Sequence, residues 1–271
     1  MKKILLSLGV VAFAAALVAG GTGAFFSDEE VSSGNTFTAG SIDLGIDNES
    51  YYNGEANPGT SWLEVAFDLD DGAGPSTDGK YLFFEFDDLK PGDYGEDTIS
   101  IHVNNNESWL CADVTLTSDD DNALTEPEED DGDDTDGVGE GELASAVEFI
   151  WWADDGDNVL EDNETLLPAG TLGELGVDGT ASITLADSHV NIWGDDGPVA
   201  GSSTRYVGKA WCFGEFTINP VAEGDNDPLV DPGFTCNGAN ENNITQTDSM
   251  TADIGFRAVQ ARHNADFSCR D

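Results

Sequence analysis

The sequence predicts an all-β fold, a single jelly-roll-like β-sandwich with acidic loop insertions. Many short segments alternate apolar and polar residues, as strands with one buried face do, and Gly, Asn, Asp or Pro bound them. No stretch keeps an apolar period of 3.6 residues long enough for a long helix. An acidic disordered chain is the alternative, but 6 Trp, 14 Phe and 39% hydrophobic residues favour a packed core.

The predicted strands follow one another along the chain. The first places Ile42, Leu44 and Ile46 on one face. An acidic loop at 70–80 separates two aromatic strands, and a Pro-Gly turn at 89–93 follows them. Short helical turns are compatible with 160–167 and 186–193. The remaining predicted strands cover 62–67, 81–86, 98–104, 110–117, 146–152, 180–186, 203–217 and 249–259.

Residues 118–142 interrupt this strand pattern. They contain 13 acidic residues, several Gly, one Pro and almost no apolar side chain. This composition is typical of a solvated loop without regular structure. Because no linker or internal repeat divides the chain, we expect one domain at 25–271, with 118–142 as an insertion within it.

The first 24 residues have the layout of a secretory signal peptide. A basic start at Met1–Lys3 precedes an apolar run to Ala19 and the small residues Thr22, Gly23 and Ala24. We therefore expect a leader helix at 1–24 and cleavage between Ala24 and Phe25. A retained membrane anchor is the alternative, but the apolar run is shorter than the ~20 residues that a spanning helix needs. On this interpretation, the protein contacts the membrane only before cleavage and is then secreted or displayed at the cell surface.

The charge of the chain is strongly negative. Its 55 acidic and 9 basic residues give a net charge of −46, and loss of Lys2 and Lys3 with the leader leaves −48. Nucleic acid and anionic membrane surfaces are disfavoured partners, because both require basic patches. Self-repulsion of this size opposes folding unless salt screens it. The composition therefore predicts a halophile's protein of haloarchaeal type.

The four cysteines and four Asn-X-Ser/Thr motifs suit an exported chain. We expect two disulfides among Cys111, Cys212, Cys236 and Cys269, with three connectivities open. Zinc binding is the alternative, but the cysteine spacing fits no zinc template.

The four Asn-X-Ser/Thr motifs lie in turn-like sequence, and in an exported chain we expect at least one of them to carry a glycan. The candidate glycosylation sites are Asn48, Asn106, Asn163 and Asn243.

Residues 151–164, WWADDGDNVLEDNE, form the sharpest candidate for a metal site. Carboxylate and amide oxygens surround Gly156, and calcium takes six to eight such oxygens on a bent loop. The spacing departs from an EF-hand loop, since Gly156 comes third from Asp154 and not sixth. An acidic surface turn without a metal is the alternative. No cofactor is otherwise expected, and the candidate calcium ligands are Asp154, Asp155, Asp157, Asn158, Glu161 and Glu164.

Catalytic motifs are absent from the sequence. It contains no HExxH, no GxSxG and no signature of a nucleophilic cysteine. The three histidines, His102, His189 and His263, lie far apart, and we expect His102 on a solvent face. We therefore expect a protein that is not an enzyme.

Several segments resemble the TasA/camelysin family: GGTGAFFSDEE at 20–30, NTFTAGSIDL at 35–44, LKPGD at 89–93 and TDSMTADIGFRAVQARHN at 247–264. The last segment resembles archaeal members of the family. The resemblance implies an exported β-sandwich protein that is processed by a SipW-type signal peptidase, and often a subunit that builds fibres. Some camelysin relatives are described as metallopeptidases, but this chain has no zincin motif to carry that activity.

These observations favour a structural protein of an extracellular fibre or matrix. Cleavage would free residues 25–37, which can add as a strand to an open sheet edge of another copy. Packing of this segment on its own sandwich is the alternative. A secreted monomeric, calcium-stabilised binding module is the second hypothesis for the function, and a camelysin-like peptidase is the third.

Overall fold

A computed structural model describes residues 27–32, 36–38, 43–65, 81–224 and 226–270. The predicted leader at 1–24, the cleavage junction at Ala24 and Phe25, and the predicted loop at 70–80 lie outside the described residues. Within the described ranges, no helix has the length and apolar character needed to cross a membrane.

The all-β prediction is confirmed, because antiparallel strands dominate the described residues. In the part of the chain that the structure describes, helical structure is limited to α1 (Glu126–Asp131), α2 (Leu143–Ala146) and a 3-10 turn (Asn243–Thr245). The strands are β1 (Ser27–Ser32), β2 (Thr36–Thr38), β3 (Asp43–Tyr52), β4 (Glu55–Ala56), β5 (Trp62–Val65), β6 (Tyr94–Asn104), β7 (Ser108–Asp121), β8 (Val147–Asp154), β9 (Gly170–Thr171), β10 (Thr180–Ala186), β11 (Ser203–Phe213), β12 (Glu215–Ile218), β13 (Phe234–Asn237) and β14 (Asp248–Gln260).

Two sheets form the sandwich. The first has the strand order β10-β7-β14-β1-β2, and the second has the order β4-β3-β6-β11-β8-β9, with β5 also paired to β3. From β6 onwards, the long strands β6, β7, β8, β10, β11 and β14 alternate between the two sheets, as in a jelly roll. β12 and β13 pair as a separate hairpin.

The main core lies between the two sheets. Every second residue of the long strands points inward, so the alternation seen in the sequence becomes one buried face per strand. Leu44 and Ile46 lie there as predicted. The inward-facing apolar residues of the other long strands include Ile99, Ile101, Val103, Leu110, Ala112, Val114, Leu116, Val207, Ile254, Phe256 and Ala258.

The outer face of the second sheet is also covered. Trp152 points away from the main core and packs with Ile150, Leu160, Ala210 and Phe234. Gly208 makes this possible, because a Cβ at that position would lie 1.9 Å from the Trp152 ring. The chain after β8 and the β12–β13 hairpin therefore bury polar residues on this face that would otherwise meet water.

All four cysteines form disulfides in the structure. Cys111 of β7 bonds to Cys269 near the C-terminus, and Cys212 of β11 bonds to Cys236 of β13. The first bond ties the first sheet to the segment that follows β14, and the second holds the β12–β13 hairpin against the second sheet.

Four segments differ from the sequence predictions. Residues 81–86 are not a strand: Tyr81 and Phe83 pack against the Trp62 ring without joining a ladder. An alternating apolar pattern indicates only that one face of a segment is buried. To form a strand, the segment must also lie beside the unpaired edge of another strand and hydrogen-bond to it. The segments 160–167 and 186–193 form turns and bridges, with no helix in either. Residues 203–217 form two strands, because Gly214 adopts a left-handed φ of 131° between them.

The interpretation of 118–142 as an irregular solvated loop also needs correction. Its first residues complete β7, α1 follows with Pro127 in its first turn, and Gly132 ends that helix with a left-handed φ of 102°. Because Glu128 and Asp121 are buried, the segment packs against the sandwich with part of its charge inside.

Candidate functional site

The predicted metal loop begins where β8 ends. Asp154 is the last residue of that strand and points to the covered outer face, on the same side as Trp152. The chain then reverses through Gly156, at φ 113°, and Asn158, at φ 63°, two left-handed positions that Gly and Asn tolerate best. This reversal returns residues 161–164 to the end of β8.

The structure brings the predicted carboxylates together in two overlapping groups. Within each group, one carboxylate oxygen of every residue lies within 4.8 Å of those of the others. Asp155 belongs to both groups, so the two are continuous. The groups are Asp154, Asp155 and Asp157, and Asp155, Glu161 and Glu164.

Hydrogen bonds hold these side chains in place. The Thr98 hydroxyl donates to Asp154 Oδ2 at 2.8 Å. The Glu164 carboxylate closes the loop, because it accepts from the amides of Asp155 at 3.0 Å and Glu161 at 2.9 Å. Glu161 Oε1 accepts from the Gly224 amide at 3.0 Å and from the Asn226 side chain.

Several polar atoms of the loop are buried and have no hydrogen-bond partner. They are Asp154 Oδ1, Glu161 Oε2, and the side-chain Oδ1 and Nδ2 atoms of Asn158. A buried oxygen without a donor is costly unless a cation or water satisfies it. A cation bound here would satisfy the three oxygens, Asp154 Oδ1, Asn158 Oδ1 and Glu161 Oε2, whereas the Asn158 Nδ2 atom needs a hydrogen-bond acceptor.

The electrostatics of the loop are uniformly negative. Burial and the neighbouring charges of Asp157 and Asp155 raise the pKa of Asp154 to about 7. Burial also raises the pKa of Glu164 to about 8, with Asp154 and Glu161 adding to the effect. Among the described residues, none of the ion pairs involves this loop. A bound cation would supply the missing positive charge.

Glu96 of β6 is a neighbour that the sequence did not point to. It is fully buried, and neither of its carboxylate oxygens has a hydrogen-bond partner. Burial, with the charges of Asp97 and Asp154, raises its pKa to about 9. In the sequence, Glu96 alternates with Thr98 and Ser100 as a solvent face would, so only the covering loop makes it a buried acid.

The donor set fits a hard divalent cation. Carboxylate and amide oxygens are calcium ligands, whereas structural and catalytic zinc sites use His or Cys. The groups of potential ligands in the described chain contain only Asp and Glu. Asp154, Asp155, Asp157, Asn158, Glu161 and Glu164 are thus the residues that would hold calcium here.

The histidines lie apart from this loop and from one another. His102 is half-buried: its Nε2 lies 2.6 Å from Asp47 Oδ2, and its Nδ1 lies 2.9 Å from the Thr204 hydroxyl. Nδ1 of His189 contacts the Ser188 hydroxyl at 2.6 Å. His263 occupies a turn with φ 72°. No described group combines a histidine with the carboxylates as a zinc peptidase would.

The candidate glycosylation sites fall into two kinds. Asn106, Asn163 and Asn243 are exposed, so a glycan on them remains a prediction. Asn48 is only 2% exposed, and its amide donates to Thr60 O at 2.7 Å and to Asp97 Oδ1 at 2.9 Å. The expectation at Asn48 is corrected, because the folded core uses the nitrogen that would carry the sugar.

The fold and the site define a β-sandwich protein with an acidic, oxygen-rich loop on its outer face. Residues 1–74 match the model of the family described as camelysin metallo-endopeptidase. The TasA/camelysin resemblance is confirmed over these residues, and the match supports an exported protein. The matched part contains no His and no Cys, so it carries no zinc ligands of the usual kind. None of the curated proteins matches the chain.

Proposed function

We propose that this chain is an exported structural protein, a subunit of an extracellular fibre or matrix that assembles by exchange of its N-terminal strands. One observation carries the proposal: β1 lies beside β14 over six residue pairs, from Ser27↔Val259 to Ser32↔Ile254. β1 follows closely after the predicted cleavage site, so a terminal segment completes the sheet.

A terminal strand of this kind can be exchanged between copies. β1 pairs with β14 through the backbone, and β1 of a second copy can form the same pairs in the same register. Without its own β1, β14 becomes an edge strand with unpaired amide and carbonyl groups. Each copy would then donate one strand and accept another, and such a head-to-tail contact propagates into a filament.

The charge of the mature chain sets the conditions for assembly. Subunits at −48 repel one another at low ionic strength, and at ~1 M salt the Debye length of about 3 Å screens most of that repulsion. We therefore expect fibres at high salt and their loss on dilution into low salt. Processing by a SipW-type signal peptidase would be required, because the leader blocks the N-terminus that must insert.

Deletion of residues 25–36 from the mature protein tests the proposal. We expect a folded monomer that no longer forms fibres at high salt, as seen by electron microscopy and light scattering. A synthetic peptide of residues 25–38 should bind this truncated protein. The same peptide with Val31→Pro should not bind, because β1 is paired on both sides and proline removes an amide donor.

Fibres formed by the truncated protein would contradict strand exchange. A full mature chain that stays monomeric at high salt and high concentration would instead favour the secreted binding module. The observation that supports this second function is that three buried oxygens of the 154–164 loop, Asp154 Oδ1, Asn158 Oδ1 and Glu161 Oε2, have no hydrogen-bond partner.

Calcium binding at that loop is the part of the second hypothesis that can be tested directly. Calorimetry at high salt should give heat for the mature protein and much less for Asp155→Asn/Asp157→Asn. The matched control is Asp162→Asn, which removes an exposed charge of the same segment outside the two carboxylate groups. Equal heats for all three proteins would identify the loop as acidic surface only.

A role other than catalysis remains part of the proposal. The family description names a peptidase, so cleavage of an unstructured protein substrate should be assayed with zinc and with a chelator. We expect no zinc-dependent cleavage, since the described potential-ligand groups lack His and Cys. Cleavage that is lost on chelation and restored by zinc would support the peptidase instead.

A further inference from the structure

A second group of buried carboxylates lies at the other acidic part of the chain, outside the predicted loop. Asp121 ends β7, Glu128 lies in α1, and Asp133 follows that helix. One carboxylate oxygen of each lies within 4.8 Å of the others. We name these three residues the α1 cluster; Asp248 and Glu142 flank it, and Asp248 pairs with Asp121 in the β14–β7 register.

The three carboxylates share one arrangement. Each has one oxygen held by a backbone amide: Ala123 N donates to Asp121 Oδ1 at 3.0 Å, Thr125 N to Glu128 Oε2 at 2.5 Å, and Thr135 N to Asp133 Oδ1 at 3.0 Å. The other oxygen of each is buried and has no hydrogen-bond partner. The backbone thus orients each carboxylate and leaves one oxygen free.

The burial of these residues is unusual for acids. Asp121 is 2% exposed, Glu128 is 0% exposed and Asp133 is 9% exposed. Acidic residues are rarely buried to this extent unless they are paired, because desolvation of a charge is costly. None of the ion pairs in the described chain reaches the α1 cluster.

The flanking acids show the same pattern. Asp248 Oδ2 accepts from the amides of Glu142 at 2.7 Å and Leu143 at 3.0 Å, while its Oδ1 is buried without a partner. Glu142 Oε2 is likewise buried and without a partner. Five buried oxygens therefore lack both a donor and a positive charge in this part of the fold.

We propose that the α1 cluster is a calcium site, in which Asp121, Glu128 and Asp133 bind the ion and Glu142 and Asp248 complete its environment. Calcium–oxygen distances of 2.3–2.6 Å place two ligands of one ion at most about 5 Å apart, which the observed spacing satisfies. Magnesium retains several waters and suits a dry, carboxylate-rich site less well. Zinc is disfavoured by the absence of His and Cys ligands.

The ion would fasten residues 122–142 to the sandwich. Its ligands come from the end of β7, from α1 and from the turn after α1, so one ion joins all three. Without the ion, mutual repulsion of the carboxylates would open this segment. The site does not depend on strand exchange or on the 154–164 loop.

Calorimetry and hydrogen exchange on the mature protein at ~2 M KCl test the site; the salt screens long-range charge effects. The titration uses Asp154→Asn/Asp157→Asn as background, so that the other loop does not contribute. We expect this background protein to bind one calcium ion, and Asp121→Asn or Asp133→Asn to weaken that binding at least tenfold. Asp134→Asn and Asp136→Asn, which remove exposed charges of the same segment, are the controls and should bind as the background does.

Hydrogen exchange gives a second readout that does not depend on the variants' stability. Calcium should slow exchange of amides in residues 122–142 relative to chelator, and magnesium at the same concentration should not. The proposal is overturned if exchange in this segment is the same with calcium and chelator. It is also overturned if Asp121→Asn and Asp133→Asn bind calcium as tightly as the two controls.

Discussion

The ion pair of Lys209 and Asp97 shows how a single residue can matter in this acidic chain. Lys209 Nζ lies 2.5 Å from Asp97 Oδ2, and both side chains are buried between the sheets. The Asn48 amide donates to the other oxygen of Asp97 at 2.9 Å, and the ammonium group lies 5.6 Å from the centre of the Phe84 ring. The core therefore holds one of the few basic residues.

Lys209→Met should strongly destabilise the fold, because it leaves the Asp97 charge buried without its cation. Loss of one partner of a buried pair costs about 3–5 kcal/mol of unfolding free energy. The double change Lys209→Met/Asp97→Asn should lose less, since no unpaired charge remains. Denaturant unfolding at fixed high salt measures both variants. Equal losses for the single and double variants would contradict this account.

Glu96 predicts a pH dependence of stability. Its pKa rises from 4.5 to about 9 in the folded protein, so the unfolded chain releases this proton at lower pH than the folded chain. Stability from this group is therefore highest below pH ~4.5 and falls as pH rises towards ~9, by up to 1.4 kcal/mol per pH unit. Glu96→Gln should raise the unfolding free energy by ~1–3 kcal/mol at pH 8 in chelator, because folding at that pH must return to Glu96 a proton that the unfolded chain has released. It should have little effect at pH 4; a uniform effect at both pH values would contradict a titrating Glu96.

At the scale of elements, the two disulfides differ in the chain length they close. Cys111–Cys269 spans 158 residues and Cys212–Cys236 spans 24. The loop-entropy relation gives about 5 kcal/mol for the first bond and about 3.5 kcal/mol for the second. Cys111→Ala/Cys269→Ala should therefore lower the unfolding free energy more than Cys212→Ala/Cys236→Ala does. Denaturant unfolding gives the order, and the reverse order would show that the loop-entropy relation does not describe this chain.

Thiol labelling is the direct check on both bonds. The denatured, non-reduced mature protein should contain no reactive thiol, because each cysteine has a partner in the structure. Reduction should then release four. Four reactive thiols before reduction would show that no disulfide is present, and the cysteines would then be apolar core residues or metal ligands.

At the scale of the whole molecule, folding should depend on salt. The mature charge of −48 destabilises the compact state unless it is screened. Circular dichroism should show a folded protein at ~2 M salt and a largely unfolded one at ~0.05 M, where the Debye length is several-fold longer. Millimolar calcium should replace part of the salt requirement, because it neutralises buried carboxylates directly. A chain that is equally folded at both salt concentrations would contradict the prediction that this is a halophile's protein.

The sequence by itself determined the fold class and most of the long strands. The segments 98–104, 110–117, 180–186 and 249–259 lie within β6, β7, β10 and β14, because alternation along a strand is a local property with a period of two residues. It also identified the acidic loop at 151–164, whose carboxylates are close in sequence and need only one reversal at Gly156 to meet.

Only the tertiary structure decided which polar positions are buried. Asn48 and Glu96 have only Asp, Glu or Gly as direct neighbours in the sequence, as exposed residues often do, yet one lies in the core and the other beneath a covering loop. The α1 cluster was hidden for the same reason: residues 118–142 have the composition of a solvated segment, and their burial depends on packing against β7 and β14. The disulfide partners, 158 and 24 residues apart, and the pairing of β1 with β14 also follow from long-range contacts. The local sequence pattern indicates which residues favour burial. The residues that cover them come from distant parts of the chain, and only the tertiary structure brings these together.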